Sequence, residues 1–240
     1  MAYDFLGLVN DVNRRLNEVE LTSSNFASAR GFYSHAKDAV NSAIQDINQT
    51  HTNWPFNFDS ENQTLVVGQT RYNYPANTKL VDMDTFRIQF NETLGASTEK
   101  LQIITYEEYL ERFVDQEYNT DTSLRNIPRY VFQAPNLQYG VSPAPDQAYT
   151  LTFEYYLNSS DLSAYDDAPV IPEVYRHVII DGAMYYAYMF RGNTQDALVA
   201  KEKFMQGIKN MRIILVNRYD YVRSTAIVRN RLSSYVYRLA

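Results

Sequence analysis

Two long stretches of helical apolar spacing, one at each end of the chain, enclose a middle where apolar and polar residues alternate. Phe5, Leu8, Val12 and Leu16 fall on one helical face, and Ala29, Phe32, Ala36, Val40, Ala43 and Ile47 form a second stripe. Near the other end, Tyr175, Ile179, Ala183, Tyr186 and Phe190 share one line, with Ile180, Met184 and Ala187 beside it. Ala197, Ala200, Phe204, Ile208, Met211 and Leu215 make a fourth stripe. A helix with an apolar face must bury it against another element. The expected fold class is therefore α+β: a discontinuous antiparallel helical bundle from both chain ends, an inserted antiparallel β-rich domain and an extended C-terminal arm. The bundle takes residues 1–55 and 170–222, the insert 56–169 and the arm 223–240.

Local signals set the expected bounds. The first helix runs from Asp4 to Asn17, and Leu21-Thr22-Ser23-Ser24 breaks the chain with N-cap residues. The second helix spans Asn25 to Gln49. Proline pushes Trp54 out of helical geometry, and the aromatics flanking Pro55, Trp54 and Phe56, plug the base of a neighbouring layer where bundle and β-rich domain join. Thr64–Val67 and Thr70–Tyr74 flank Gly68-Gln69 and read as a hairpin with a glycine-first turn. Strands follow over Leu80–Phe90, with a bulge near Phe86, and over Leu101–Ile104. A short helix over Glu107–Phe113 and a polar loop over Gln116–Asn126 lead to strands at Arg129–Gln133, Leu137–Val141 and Tyr149–Leu157. Proline at a first helical turn starts the third helix at Pro172, ending at Arg191. Gly192-Asn193-Thr194 caps it and opens the fourth, so these two helices are neighbours.

The chain has 240 residues, enough for one large domain or two small ones, and no cysteine, so disulfides and thiolate chemistry are excluded. The N-terminus lacks a basic region and reads as no signal peptide, and no apolar run is long enough to span a membrane. The net charge of -6 is uneven. From Lys201 onward nine Lys/Arg face two acids, about +7, which leaves about -13 on the remainder. Such segregation marks a contact surface. The arginines of the last segment alternate with tyrosine, valine and leucine, a composition typical of protein interfaces rather than of nucleic-acid grips.

No catalytic constellation is visible, and neither a cofactor nor a metal is expected. His35, His51 and His177 share no ligand spacing, and neither a nucleophile elbow nor a phosphate-cradling glycine loop occurs. Asp82/Asp84, Glu107/Glu108 and Asp166/Asp167 read as solvated carboxylates. Tyr185, Tyr186 and Tyr188 point different ways around a helix, which suits packing rather than one stacking platform.

An ordered set of motifs carries a resemblance. Ala36-Lys37-Asp38-Ala39-Val40-Asn41-Ser42-Ala43-Ile44 precedes Trp54-Pro55-Phe56-Asn57-Phe58. Gly68-Gln69-Thr70-Arg71-Tyr72-Asn73-Tyr74-Pro75 follows, and Ile171-Pro172-Glu173-Val174-Tyr175-Arg176 opens an Ala- and Tyr-rich helix. In this order the chain resembles the head-to-tail adaptors of short-tailed (podovirus) phages, the tail tubular protein A type. The resemblance implies a virion protein of the tail and neck, assembled in the host cytoplasm, forming a homo-oligomeric ring of twelve subunits. Portal protein, tail nozzle protein and tail fibres are its implied partners, and DNA passes through its lumen without sequence-specific binding. No catalysis and no membrane are implied. In related adaptors the C-terminal region reaches the portal, a role carried onto Arg223, Arg229, Arg231, Tyr235, Tyr237 and Arg238. Two other readings stay open: an aromatic-rich carbohydrate- or receptor-binding structural protein, and a nucleic-acid-binding module using the basic C-terminus.

Overall fold

In chain order the helices are α1 (Phe5–Arg15), α2 (Phe32–Thr50), α3 (Tyr106–Arg112), α4 (Asp115–Tyr118), α5 (Arg176–Phe190) and α6 (Thr194–Leu215). The strands are β1 (Phe58–Thr64), β2 (Arg71–Asn73), β3 (Thr78–Phe90), β4 (Ser97–Lys100), β5 (Gln102–Ile103), β6 (Tyr130–Ala134), β7 (Gln138–Ser142) and β8 (Thr150–Leu157). The computed structural model describes residues 2–90, 97–118 and 121–216. The protein is thus mixed α+β. It divides into two units: one joins Met1–Pro55 to the chain from Asp161 onward, and the other is Phe56–Ser160.

In the helical unit, α5 packs against α1, α2 and α6, and α1 packs against α2. The low amphipathicity of α5 follows from these partners. Arg176 and Asp181 meet α1, Tyr186 and Phe190 meet α2, and Val178, Gly182 and Tyr185 meet α6. Along α5 and α6 the contacts run in opposite order, Val178 to Gly207, Gly182 to Phe204 and Tyr185 to Lys201. Gly182 is needed for close approach, because a Cβ there would lie 2.7 Å from the Phe204 ring and 2.8 Å from the Ala43 methyl.

Two helix starts differ from expectation. The second helix begins at Phe32, not near Asn25. Gly31 sits at φ 63°, a backbone state that breaks helical continuity and suits glycine. Residues 22–28 turn instead, and this puts Phe26 edge-on against Phe5 at 5.1 Å, buried in the core. The helix expected from Pro172 begins at Arg176, after a 3-10 turn over Glu173–Tyr175 that Pro172 caps.

The β unit holds two four-stranded sheets, in the orders β1-β8-β3-β4 and β2-β7-β6-β5. Pairing is antiparallel throughout except for β5 beside β6. Inward residues of both sheets form one core, including Phe86, Ile88, Val131, Tyr139, Val141, Leu151 and Phe153. Tyr139 lies at its centre, with ring contacts to Tyr72, Tyr74, Phe86 and Phe153. The other face of the second sheet carries Phe132, whose ring stacks on Tyr109 of α3 at 3.8 Å.

The expected hairpin around Gly68 does not form. The strand expected over Thr64–Val67 is absent beyond Thr64, where β1 ends; β1 pairs with β8 and β2 with β7, so the strands on either side of the turn belong to different sheets. The turn closes through Gln69 N–H donating to Val66 O at 3.0 Å, which makes Gly68, at φ 78°, its third residue. That is a type II geometry, whose twist splays the flanking strands instead of pairing them. The irregularity expected near Phe86 is present, as a register shift between Asp82 and Arg87 on the β8 edge of β3. The stretch expected as a polar loop instead holds α4 and a 3-10 turn over Thr122–Leu124. Glu117 of α4 accepts from Arg71 at 2.8 Å, from Thr70 at 3.2 Å and from Tyr109 at 3.1 Å. Burial first, and then the Glu117 charge, pushes the Tyr109 phenol up to about 12.

Candidate assembly surfaces

The residues assigned to portal docking, Arg223, Arg229, Arg231, Tyr235, Tyr237 and Arg238, lie outside the described residues. Trp54, Pro55 and Phe56 sit where the two units divide. Trp54 is fully buried within the helical unit and donates its indole N–H to Ile47 O at 2.7 Å, which satisfies a carbonyl of the last turn of α2. Pro55 is exposed and opens a 3-10 turn with Phe56.

The segment 161–171 forms a strap over the helical unit, held by side chains that the apolar pattern did not single out. Asn41 of α2 brackets Leu162, donating to its O at 3.0 Å and accepting from its N at 3.1 Å. Gln45 donates to Asp161 at 2.5 Å. The first-turn amides of α1, which have no intrahelical acceptors, find them on the strap: Phe5 N–H donates to Asp167 O at 2.8 Å and Leu6 N–H to Tyr165 O at 2.9 Å. Asp4 caps the same end, accepting from Gly7 N–H at 2.7 Å. Tyr3 donates to Ile171 O at 2.5 Å. Arg176 then ties the start of α5 to α1 through Asp11 at 2.7 Å, Ala2 O at 3.1 Å and Gly7 O at 3.2 Å. Within the strap, the Asp167 carboxylate accepts from the N–H groups of Ser163 and Ala164, both at 2.7 Å, and these bonds hold its pKa below the usual carboxylate range.

Two of the other carboxylates and two of the histidines have structural partners, and His177 is exposed. Asp84 pairs with Lys100, and Glu108 with Arg112. His35 stacks on Phe190 at 3.7 Å, and His51 meets Trp54 edge-on at 5.3 Å. Among the described residues no group of His, Asp and Glu could hold a metal ion, and no helix is long and apolar enough to cross a membrane. A groove of about 380 Å³ in the β unit is lined by Tyr74, Pro75, Leu80, Met83 and Leu137, with Lys79 its one titratable amine. Its apolar lining offers contact area but no converging set of acid, base and nucleophile. The aromatic residues of the middle, which suggested a sugar platform, are mostly inside. Tyr72, Tyr109, Tyr139, Tyr149 and Tyr155 are buried, so they cannot present open rings to a ligand.

The outer face of α6 also carries apolar side chains, with Glu202, Gln206 and Lys209 among them. Its inner stripe is buried as expected, yet Leu198, Val199, Met205 and Ile213 remain about half or more exposed. With about 100° between successive residues, Leu198, Val199 and Ile213 point away from α5, while Met205 borders a groove with Asp46, Gln49 and Thr50 of α2 and Tyr185 of α5. A two-faced apolar helix at a surface is the signature of a contact still to be made.

A family model described as SU10 adaptor protein matches residues 3–230, nearly the whole chain and both of its units. The chain belongs to the SU10 adaptor protein family. Comparison with curated proteins returned no match. As a member of a phage adaptor family, this SU10-type adaptor is a virion structural protein whose work is contact with other phage proteins. Both the strap and α6 expose apolar side chains on the helical unit, Tyr165 and Val170 on the first and Leu198 and Val199 on the second.

Proposed function

We propose that this adaptor is of the tail tubular protein A type and builds a closed ring between the portal above and the tail nozzle below, with DNA passing through its lumen. The observation that carries this reading is the adaptor match running from residue 3 to 230 across both units. Charge supports it. The β unit, residues 56–160, holds fourteen acids against seven Lys/Arg. A conduit for DNA must not bind phosphate, since each Lys/Arg contact releases counterions and strengthens the grip. The basic residues gathered after Lys201 are left to protein docking, with Arg223, Arg229, Arg231, Tyr235, Tyr237 and Arg238 meeting the portal. No step of this role calls for catalysis.

The test mixes the purified chain with portal and follows sedimentation and electron-microscope images. The expected result is a ring-shaped particle bound coaxially to portal. A chain that remains monomeric with portal present would overturn the reading. Removing residues 223–240 is expected to weaken portal binding at least tenfold while the helical signal persists, and unchanged binding would refute the arm's role.

A further inference from the structure

We infer that neighbouring copies meet head to tail, with the outer face of α6 on one copy seated on the strap of the next. This inference rests on the ring reading and deepens it by naming the two faces in contact. The first face mixes exposed apolar side chains with charges whose balance over the helix is basic. Leu198, Met205 and Ile213 are 66%, 51% and 46% exposed, and α6 carries Lys201, Lys203, Lys209 and Arg212 against Asp196 and Glu202. The second face, the strap together with the 3-10 turn over Glu173–Tyr175 that follows it, is apolar and acidic. Tyr165, Val170 and Val174 are 44%, 52% and 78% exposed, and residues 161–175 contain Asp161, Asp166, Asp167 and Glu173 but no Lys or Arg. Both faces thus expose apolar area, and their net charges are of opposite sign.

The geometry excludes two simpler uses of these faces. The strap is bonded to α1 and α2, whereas α6 packs on α5 along Val178, Gly182 and Tyr185. On α5 these three lie about half a turn around from Arg176 and Ile180, given about 100° per residue. Arg176 is the residue bonded to α1, so α6 and the strap occupy different sides of the unit, and one copy cannot close the contact on itself. Pairing α6 with its own symmetry mate would bring together two helices that each carry four Lys/Arg against two acids, a like-charge arrangement that costs affinity. A contact between two different faces repeats from copy to copy, and it closes into a ring when the rotation allows. The strap is also pre-organised, because its backbone is already fixed by Asn41, by the α1 amides and by the Asp167 carboxylate. Ordering costs on binding are lower for such a surface.

The experiment is sedimentation of the full chain over a concentration series, with Met205→Glu and Val174→Arg as single variants and as a mixture. Each substitution places a charge of the wrong sign against the partner face, and both side chains are exposed, so melting temperature should stay within a few degrees of wild type. Leu198→Glu, on the same face of α6, is the second variant should Met205→Glu melt early. Wild type is expected to assemble, each single variant to associate at least tenfold more weakly, and the mixture to regain association through the unaltered and the charge-swapped contacts. Wild type that assembles alongside variants that assemble equally well overturns this contact and leaves the ring reading standing. A wild-type chain that stays monomeric at every concentration and with portal present overturns the ring reading itself.

Discussion

Gly140 shows how one missing side chain can organise a sheet. It lies directly across from Phe132 in the β6–β7 ladder, and a Cβ at that site would sit 2.0 Å from the tip of the Phe132 ring. The ring can therefore lie flat over the glycine and still stack on Tyr109 of α3. Gly140→Ala should force the ring off its rotamer and cost about 1–3 kcal/mol, the usual penalty of overpacking. Urea unfolding followed by tyrosine fluorescence would register it, and an unchanged midpoint would mean that Phe132 can move freely. Nothing in the local sequence announces this role, because a glycine between Tyr139 and Val141 reads only as a weak strand position. Asn41 was hidden for a related reason. A polar residue beside an apolar stripe looks like solvent surface until the chain 121 residues later supplies the backbone it brackets.

Among the elements, α1, α5, α6 and most strands were legible, since apolar spacing reports the period and which face is buried. Pairing partners were not legible. The apolar residues of Thr64–Val67 and Thr70–Tyr74 suit a hairpin and strands placed in two sheets equally, and the Gln69 N–H bond to Val66 O, which puts Gly68 third in the turn, separates the cases. The second apolar face of α6 was missed because the residues of the first stripe already accounted for a helix. The strap carries an element-level prediction. The pKa of Asp167 is depressed in the folded chain by two backbone N–H donors. Its contribution is present above the unfolded value, about 3.9, and fades as pH falls through the lower folded value. An NMR titration should find the Ser163 and Ala164 amide shifts moving with a midpoint below about 3.9, and Asp167→Asn should abolish that titration. A midpoint at the ordinary value would show that the loop does not depend on the charge.

For the molecule as a whole, the helical unit draws its core from both ends of the sequence. Val12, Val40, Ala43 and Ile47 are all fully buried, as are Ile179 and Ala183 on α5. Residues 1–55 alone would leave the apolar face that meets α5 in water, so that fragment should show little helical circular dichroism. Adding a peptide of residues 161–216 should restore it, and full helicity in the short fragment by itself would contradict the arrangement. The β unit is organised differently. Its chain arrives on β1 and departs on β8, and these strands are bonded side by side, with Phe58 opposite Tyr156. The two crossings are thus only about 5 Å apart, the spacing of adjacent strands. A short turn spans that distance, so the sandwich is a removable cassette whose excision should leave the contacts within the helical chassis in place.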